Sequence, residues 1–184
     1  MSLSAFLAYF HGILVRVPGW HWAVICILAL TVFLLTRKKG SVYGAIALGM
    51  TVFIGLLLLD TAVMIRYLGL QHHVAGCNLR FELTQLFHGE NRRKIELVSN
   101  AAVFIPFGFF LSESLSSLRR IGPWRQIGLV TLASFCLSLC IELLQLVLHI
   151  GFFEVMDLVL NTVGGVVGAV LALAGRRLFR VNRK

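Results

Sequence analysis

The sequence has few of the residues on which disulfide-bonded and zinc-binding domains depend. Only four cysteines occur among 184 residues, and Cys77 is the only one outside an apolar run. A single cysteine in a polar loop excludes an intramolecular disulfide framework and a zinc-binding set. Cys136 and Cys140 are one helical turn apart, and we interpret them as small packing residues rather than as ligands.

Acidic residues are also scarce. Eight Asp and Glu stand against seventeen Lys and Arg, which gives a formal net charge of +9. Such a charge is compatible with nucleic-acid binding, but the basic residues cluster in short loops between long apolar runs. That distribution is typical of a membrane protein whose basic loops face the cytoplasm. We therefore expect membrane lipids as partners and no nucleic acid.

Hydrophobic residues are abundant. They make up 58% of the chain, above the roughly 45–50% of soluble proteins. Several runs approach or exceed the length of about 20 residues that a spanning helix needs. We predict an all-α membrane protein, a bundle of about five transmembrane helices. The predicted spans are residues 20–36, 42–65, 95–111, 126–148 and 157–174.

The rest of the chain is assigned to the membrane surface. Residues 1–18 are predicted as a short N-terminal interfacial segment, because the apolar stretch 3–17 is too short for a span and lacks a signal-peptide cleavage site. Residues 19–184 are predicted as a single transmembrane helical domain, with one long extracytoplasmic loop at 66–96 and turns at 112–125 and 151–156.

Basic residues predict the orientation. With the N-terminus outside, eleven of the seventeen Lys and Arg lie on the inner faces. The Lys and Arg bias sets the orientation of a membrane protein. We expect a multi-pass protein of the plasma (inner) membrane, with the N-terminus outside and the C-terminus in the cytoplasm.

Polar side chains inside the spans are the candidates for function, since an ionisable residue there costs roughly 2.5–3.5 kcal/mol on insertion. In the predicted topology all of them fall toward the outer leaflet. The fourth span carries a stripe at intervals of three or four residues, which predicts one polar helix face. Its members are Ser134, Ser138, Glu142, Gln145 and His149.

The fifth span begins with Asp157 and Asn161, one turn apart, and continues with Gly164, Gly165 and Gly168. Small residues let helices approach closely, so we expect tight pairing of the fourth and fifth helices. The candidate binding residues are Asn100, Gln145, Asp157, Asn161, Arg80, Asp60 and His149, and the candidate catalytic residue is Glu142. Two structural alternatives stay open: Asp60 as a locally paired carboxylate, and Glu142 as a buried carboxyl bonded to Asn161 or Asn100.

Three motifs on separate apolar segments resemble the VanZ-like family over about residues 78–175, with Asn78-Leu79 similar to its loop motif. They are Asn100-x-x-x-Phe104-x-Pro106-x-Gly108-Phe109, Glu142-x-x-Gln145 and Asp157-x-x-x-Asn161-x-x-Gly164-Gly165. The chain departs from the family before the last helix, where Gly151 takes an arginine position and Met156 an acidic one. The resemblance implies a bacterial membrane protein and, through the founding member, low-level resistance to teicoplanin-type glycopeptides. It implies no mechanism.

Three kinds of function fit these residues. In the first, an outer-leaflet-facing polar pocket binds a lipid headgroup, a lipid-linked envelope precursor or a glycopeptide, and Arg80 supplies positive charge for a phosphate. In the second, an intramembrane enzyme acts on an envelope lipid with Glu142 as general acid or base and His149 as its proton partner. In the third, the polar residues are purely structural. No serine or cysteine nucleophile is paired with a base in the motifs and no metal-ligand spacing occurs, so we expect no cofactor.

Overall fold

Five long helices make up most of the described chain. The computed structural model describes residue 4 and residues 18–38, 41–68, 76–78, 91–116 and 121–181. The helices are α1 (Gly19–Arg37), α2 (Val42–Leu68), α3 (Asn91–Ser114), α4 (Pro123–Val147) and α5 (Val155–Val181). Each contains a stretch of at least 18 residues that is apolar enough to cross a bilayer. The prediction of an all-α membrane protein with five spanning helices is confirmed.

The helices extend beyond the predicted spans. Backbone groups in hydrocarbon must bond within their own segment, which makes the apolar runs helical, and helical bonding continues into the polar flanks. As a result α3 begins at Asn91 rather than at residue 95, and α5 continues to Val181. The predicted loop at 66–96 is therefore shorter and falls between Leu68 and Asn91. Most of this loop, and nearly all of the predicted N-terminal interfacial segment, lie outside the described residues.

A short parallel ribbon joins two connections that are distant in sequence. Strand β1 (Gly76–Asn78) pairs with β2 (Phe152–Glu154), with Gly76 opposite Phe152 and Asn78 opposite Glu154. The turn predicted at 151–156 therefore contains a strand. Gly76 lies close against the ring of Phe152, which would have to move to accept a Cβ atom at this position. The ribbon fixes part of the loop after α2 beside the connection between α4 and α5.

The closest helix packing is between α3 and α5, rather than between α4 and α5 as expected. A Cβ atom on Gly164 would overlap the backbone oxygen of Ala101, and one on Gly168 would overlap that of Ile105. Both glycines thus bring the α5 backbone against α3, where small residues permit close approach. Gly165 lies against the other neighbour, α4, since a Cβ atom there would overlap Ser134 of that helix. Helix α5 is therefore held between α3 and α4.

Large apolar side chains fill the space between α2, α3 and α4. The buried cluster consists of Leu58, Phe104, Phe107 and Ile141. The rings of Phe104 and Phe107 meet edge to face at 6.0 Å between centroids, a favourable aromatic geometry.

The two ends of the bundle differ in composition. The ribbon end holds β1, β2 and the connection between α4 and α5, and the basic end holds Arg37, Lys38 and Arg125.

Candidate functional site

The polar stripe predicted on α4 is buried in the structure over most of its length. Ser134 and Ser138 are fully buried, and Glu142 and Gln145 are each 2% exposed. His149 does not belong to the stripe, because α4 ends at Val147. It lies exposed in the following turn with a positive φ of 55°, and its Nδ1 is 3.0 Å from the oxygen of Val147. The termination of the helix therefore breaks the periodicity on which that prediction depended.

Glu142 connects the stripe to the ribbon. Its Oε2 accepts a hydrogen bond of 2.8 Å from the backbone N–H of Glu154, the last residue of β2. Helix α5 begins at the next residue, Val155. The buried carboxyl group thus fixes the position where α5 enters the bundle relative to α4. The structural alternative for Glu142, a bond to Asn161 or Asn100, is replaced by this contact with the backbone.

Asn161 links α5 to the same face of α4. Its Nδ2 donates to Ser138 Oγ over 2.9 Å, and the residue is 5% exposed. Asp157, one turn earlier on α5, is 3% exposed. Asn161 is bonded to Ser138, and Glu154 is bonded to Glu142. Asp157 lies between Glu154 and Asn161 in the chain, so it is placed near the level of Glu142 in the antiparallel pair of α4 and α5. The carboxyl groups of Glu142 on α4 and Asp157 on α5, and the amide of Asn161, are therefore buried along the facing stretches of these two helices.

Gln145 extends the group toward α2. Its Nε2 donates to the backbone oxygen of Ala62 over 3.1 Å. Asp60 lies two residues before Ala62, and its Oδ1 is 2.5 Å from Nδ1 of His21 at the start of α1. The structure thus pairs Asp60 with a residue of a different helix, 39 positions away in the chain, a partner that neither sequence interpretation named. His21, which is 7% exposed, was missed by sequence reasoning although it is the only histidine, acidic or basic residue of α1 before Arg37.

The eight residues singled out from the sequence are therefore only partly assembled. Four of them, Glu142, Gln145, Asp157 and Asn161, are buried together on α4 and α5, and we call them the α4–α5 polar cluster. Asp60 is connected to it through Gln145 and Ala62. Asn100 is half-buried on α3, with no hydrogen bond to the cluster among the described residues, and His149 lies apart. Arg80 falls outside the described residues.

The sequence model of the VanZ/LLP1 family matches residues 20–179, nearly the whole chain. The chain belongs to the VanZ/LLP1 family. A curated relative, Protein VanZ of Enterococcus faecium, is 33% identical over 91 residues, 48% of this chain. That match covers 50% of the relative, so the chain spans about half the length of the protein it matches. No solved structure matches. The resemblance read from the three motifs is confirmed, and with five apolar helices this VanZ/LLP1 protein is a multi-pass membrane protein.

A second polar network lies at the basic end of this VanZ/LLP1 protein. Arg176 of α5 donates from Nη1 to Glu113 Oε1 and from Nη2 to Gln126 Oε1, each over 2.6 Å. Tyr43 of α2 donates to Glu113 Oε2 over 2.9 Å. Glu113 and Gln126 are 4% and 3% exposed. The expectation that the polar residues of the spans all lie toward one end is therefore wrong.

Sequence reasoning missed this network because it placed residues 112–125 in a turn. Helix α3 in fact continues to Ser114, so Glu113 lies inside the bundle. The sequence offers one signal for this network, the opposite charges of Glu113 near the end of α3 and of the basic residues in the last turns of α5. The network connects four of the five helices at the end where the connections between helices are basic.

The described residues contain no group of three or more His, Cys, Asp or Glu that could hold a metal ion. In the α4–α5 polar cluster, carboxylate and amide oxygens accept hydrogen bonds, while the amide nitrogens are used on Ser138 and Ala62. Such a group can bind and orient a polar ligand, and its carboxyl groups can exchange protons with one.

Proposed function

We propose that this VanZ/LLP1 protein binds the headgroup of a cell-envelope lipid or of a lipid-linked envelope precursor at the α4–α5 polar cluster. One observation carries the proposal: Glu142, Gln145, Asp157 and Asn161 are 2–5% exposed and lie on the stretches of α4 and α5 that are nearest the ribbon end. Intramembrane ionisable residues are expensive and mark ligand or ion pathways in membrane proteins. Two of them with two amides form a site suited to a polar group.

Internal contacts satisfy this cluster only in part. The hydrogen bonds to Glu154, Ala62 and Ser138 position the helices, yet Asn161 Oδ1 is buried without a partner among the described residues. A purely structural cluster gains nothing from an unsatisfied buried acceptor, since such a group loses its bonds to water. The unsatisfied acceptor therefore favours a ligand over a structural role.

The proposed site opens toward the leaflet that faces away from the cytoplasm. The short connections at the basic end hold Arg37, Lys38 and Arg125, and positively charged connections stay in the cytoplasm. The ribbon end is then extracytoplasmic, in a bacterial plasma membrane with the N-terminus outside and the C-terminus inside. Lipid-linked envelope precursors are presented on that side.

This location connects the site to glycopeptide resistance. The chain is similar to Protein VanZ over about half of each protein, and the family resemblance implies a role in low-level teicoplanin resistance. We propose that holding an envelope precursor at the ribbon end changes what a teicoplanin-type glycopeptide can reach. Binding of the glycopeptide itself is the other partner compatible with the same exposed end.

Lipid that copurifies with the protein tests the proposal. The expected result is a headgroup-selective lipid in wild-type protein that is lost in Asn161→Ala, quantified by native mass spectrometry and lipid extraction. Thr162→Val is the matched control, because Thr162 is adjacent on α5 and its hydroxyl bonds only to Leu158 O of its own helix, over 2.7 Å. Full retention of the lipid by Asn161→Ala, or equal loss in both variants, would contradict the proposal.

Glu142→Gln separates this proposal from an intramembrane enzyme. Glutamine keeps an oxygen that can accept from Glu154 N–H, so the helices stay in register, but it cannot act as a general acid or base. Under the proposal wild-type protein leaves its bound lipid chemically unchanged, and Glu142→Gln only weakens the binding of that lipid. Conversion of the lipid by wild-type protein, abolished in Glu142→Gln, would establish the enzyme instead.

A further inference from the structure

The donors of the candidate site are already used inside the protein. Asn161 Nδ2 donates to Ser138 Oγ, and Gln145 Nε2 donates to the backbone oxygen of Ala62. The backbone N–H of Glu154 donates to Glu142. The amide nitrogens are therefore directed at protein acceptors, and a ligand meets mainly the oxygens of these side chains.

Two acceptors near the ribbon end lack a donor. Asn161 Oδ1 and Asp60 Oδ2 are buried and have no hydrogen-bond partner among the described residues. Asn161 is only 5% exposed, so bulk water does not reach it freely. Buried polar atoms in folded proteins are almost always paired, with protein groups, ordered water, an ion or a ligand. Asn161 Oδ1 and Asp60 Oδ2 are both acceptors, so a ligand group placed against either of them must be a donor.

We infer that the site takes the amine end of its ligand, a primary ammonium group, an inference that rests on the proposed function. An ammonium group presents three N–H donors and no acceptor. Its positive charge suits a region that contains the carboxyl groups of Asp60, Glu142 and Asp157, because hydrogen bonds between ionised partners are the strong ones. A phosphate has only acceptors to offer to Asn161 Oδ1 and Asp60 Oδ2.

The two acceptors lie at depths that a lipid headgroup can reach. Asp60 is bonded to His21, which follows Trp20, and Trp20 is 66% exposed at the first turn of α1. Exposed tryptophan at a helix end marks the membrane interface. Asn161 lies six residues after the start of α5, about 9 Å deeper at 1.5 Å per residue. An entering amine meets Asp60 first, and it reaches Asn161 only when its phosphate or sugar linkage follows it below the interface.

Headgroup comparison in the full-length protein tests the donor chemistry. Phosphatidylethanolamine, phosphatidylcholine and phosphatidylglycerol with identical acyl chains are titrated by native mass spectrometry. Phosphatidylcholine keeps the positive charge but has no N–H donor, and phosphatidylglycerol has hydroxyl donors without the cation. We expect phosphatidylethanolamine to bind about 10- to 100-fold more tightly than either, as the loss of hydrogen bonds to charged groups predicts.

The source of the amine is resolved by competition with water-soluble phosphoethanolamine. Displacement of the bound aminophospholipid indicates that the headgroup alone is recognised, as in a free or lipid-linked amine. Retention, together with the preference over phosphatidylcholine and phosphatidylglycerol, assigns the site to a membrane aminophospholipid.

Variants at the two acceptors complete the test. Asn161→Leu should abolish the preference for phosphatidylethanolamine, whereas Asn161→Asp, which keeps an acceptor, should retain it. Asp60→Asn replaces an acceptor by a donor and should weaken the preference independently, in case Asn161→Leu does not accumulate. Thr162→Val should match wild type.

Two outcomes separate the inference from the function beneath it. In the first, wild-type protein binds phosphatidylcholine or phosphatidylglycerol as tightly as phosphatidylethanolamine, and Asn161→Ala still abolishes binding. That result would overturn the ammonium inference and leave the proposed function standing. Lipid binding that is undetectable in wild-type protein, or that Asn161→Ala leaves unchanged, would overturn both.

Discussion

Replacement of Arg176 by methionine examines the polar network at the basic end. The Arg176 guanidinium lies 2.6 Å from Glu113 Oε1 and 2.6 Å from Gln126 Oε1. Methionine keeps much of the apolar stem and removes the charge and all donors. The side chain of Glu113 is 5% exposed and that of Arg176 is 22% exposed, so the variant leaves a buried carboxylate without its cation.

The expected loss of stability follows from that burial. Breaking a buried ion pair by removing one partner costs about 3–5 kcal/mol, whereas an exposed pair contributes about 0–1 kcal/mol. We expect about 3 kcal/mol for Arg176→Met, because Arg176 is partly exposed and Tyr43 still donates to Glu113. Adding Glu113→Met should restore most of the loss, since apolar replacements of a whole buried pair are often close to neutral.

The free energy of unfolding is measured by reversible denaturation or steric trapping in a bilayer mimetic. Arg177→Met is the matched control, because Arg177 is the next residue of α5 and is exposed. A surface change of this kind is expected to stay within about 0.5 kcal/mol. The reasoning is refuted if Arg176→Met costs no more than Arg177→Met, or if the double variant loses the sum of the two single losses.

Two further predictions concern packing and topology, beside the lipid-binding experiments above. Gly164→Ala should lower the free energy of unfolding by about 1–3 kcal/mol, because the added methyl group overlaps the backbone of Ala101 in α3. Gly128→Ala is the control and should be neutral, because a Cβ atom at Gly128 has nothing within 4 Å. Equal free energies of unfolding for the two variants would contradict the assigned contact between α3 and α5. In single-cysteine variants on intact cells, Cys77, which is exposed on β1, should react with a membrane-impermeant thiol reagent, and Cys136, exposed within the apolar span of α4, should not. Reaction of Cys77 only after the cells are permeabilised would place the ribbon end in the cytoplasm.

Family and architecture were accessible from local sequence. Apolar runs long enough to cross a bilayer impose helical hydrogen bonding on themselves, which is why five spans were predicted without tertiary information. The polar face of α4 from Ser134 to Gln145 followed from helical spacing alone. The motifs around Asn100, Glu142 and Asp157 were sufficient for the family, because they are read residue by residue.

Helix ends and helix partners were not accessible. Helical periodicity wrongly included His149 in the polar stripe, and hydropathy wrongly placed Glu113 in a turn. Hydropathy marks the edge of the hydrocarbon and not the last helical hydrogen bond, so neither helix end could be located from the sequence. The glycines of α5 predicted a close neighbour without identifying it, because Gly164 and Gly168 allow any backbone to approach and only three-dimensional packing selects α3.

The sequence by itself determined that the described part of this VanZ/LLP1 protein has five helices long and apolar enough to cross a membrane, and that these helices carry carboxyl and amide side chains, since both properties depend on residues close together in the chain. Only the tertiary structure decided which of those groups meet. Asp60 with His21, Glu142 with the backbone of Glu154, and Arg176 with Glu113 and Gln126 each join segments whose separation is set by packing. A hydrogen bond depends on distances of about 3 Å, and sequence spacing fixes such distances only within a single helix.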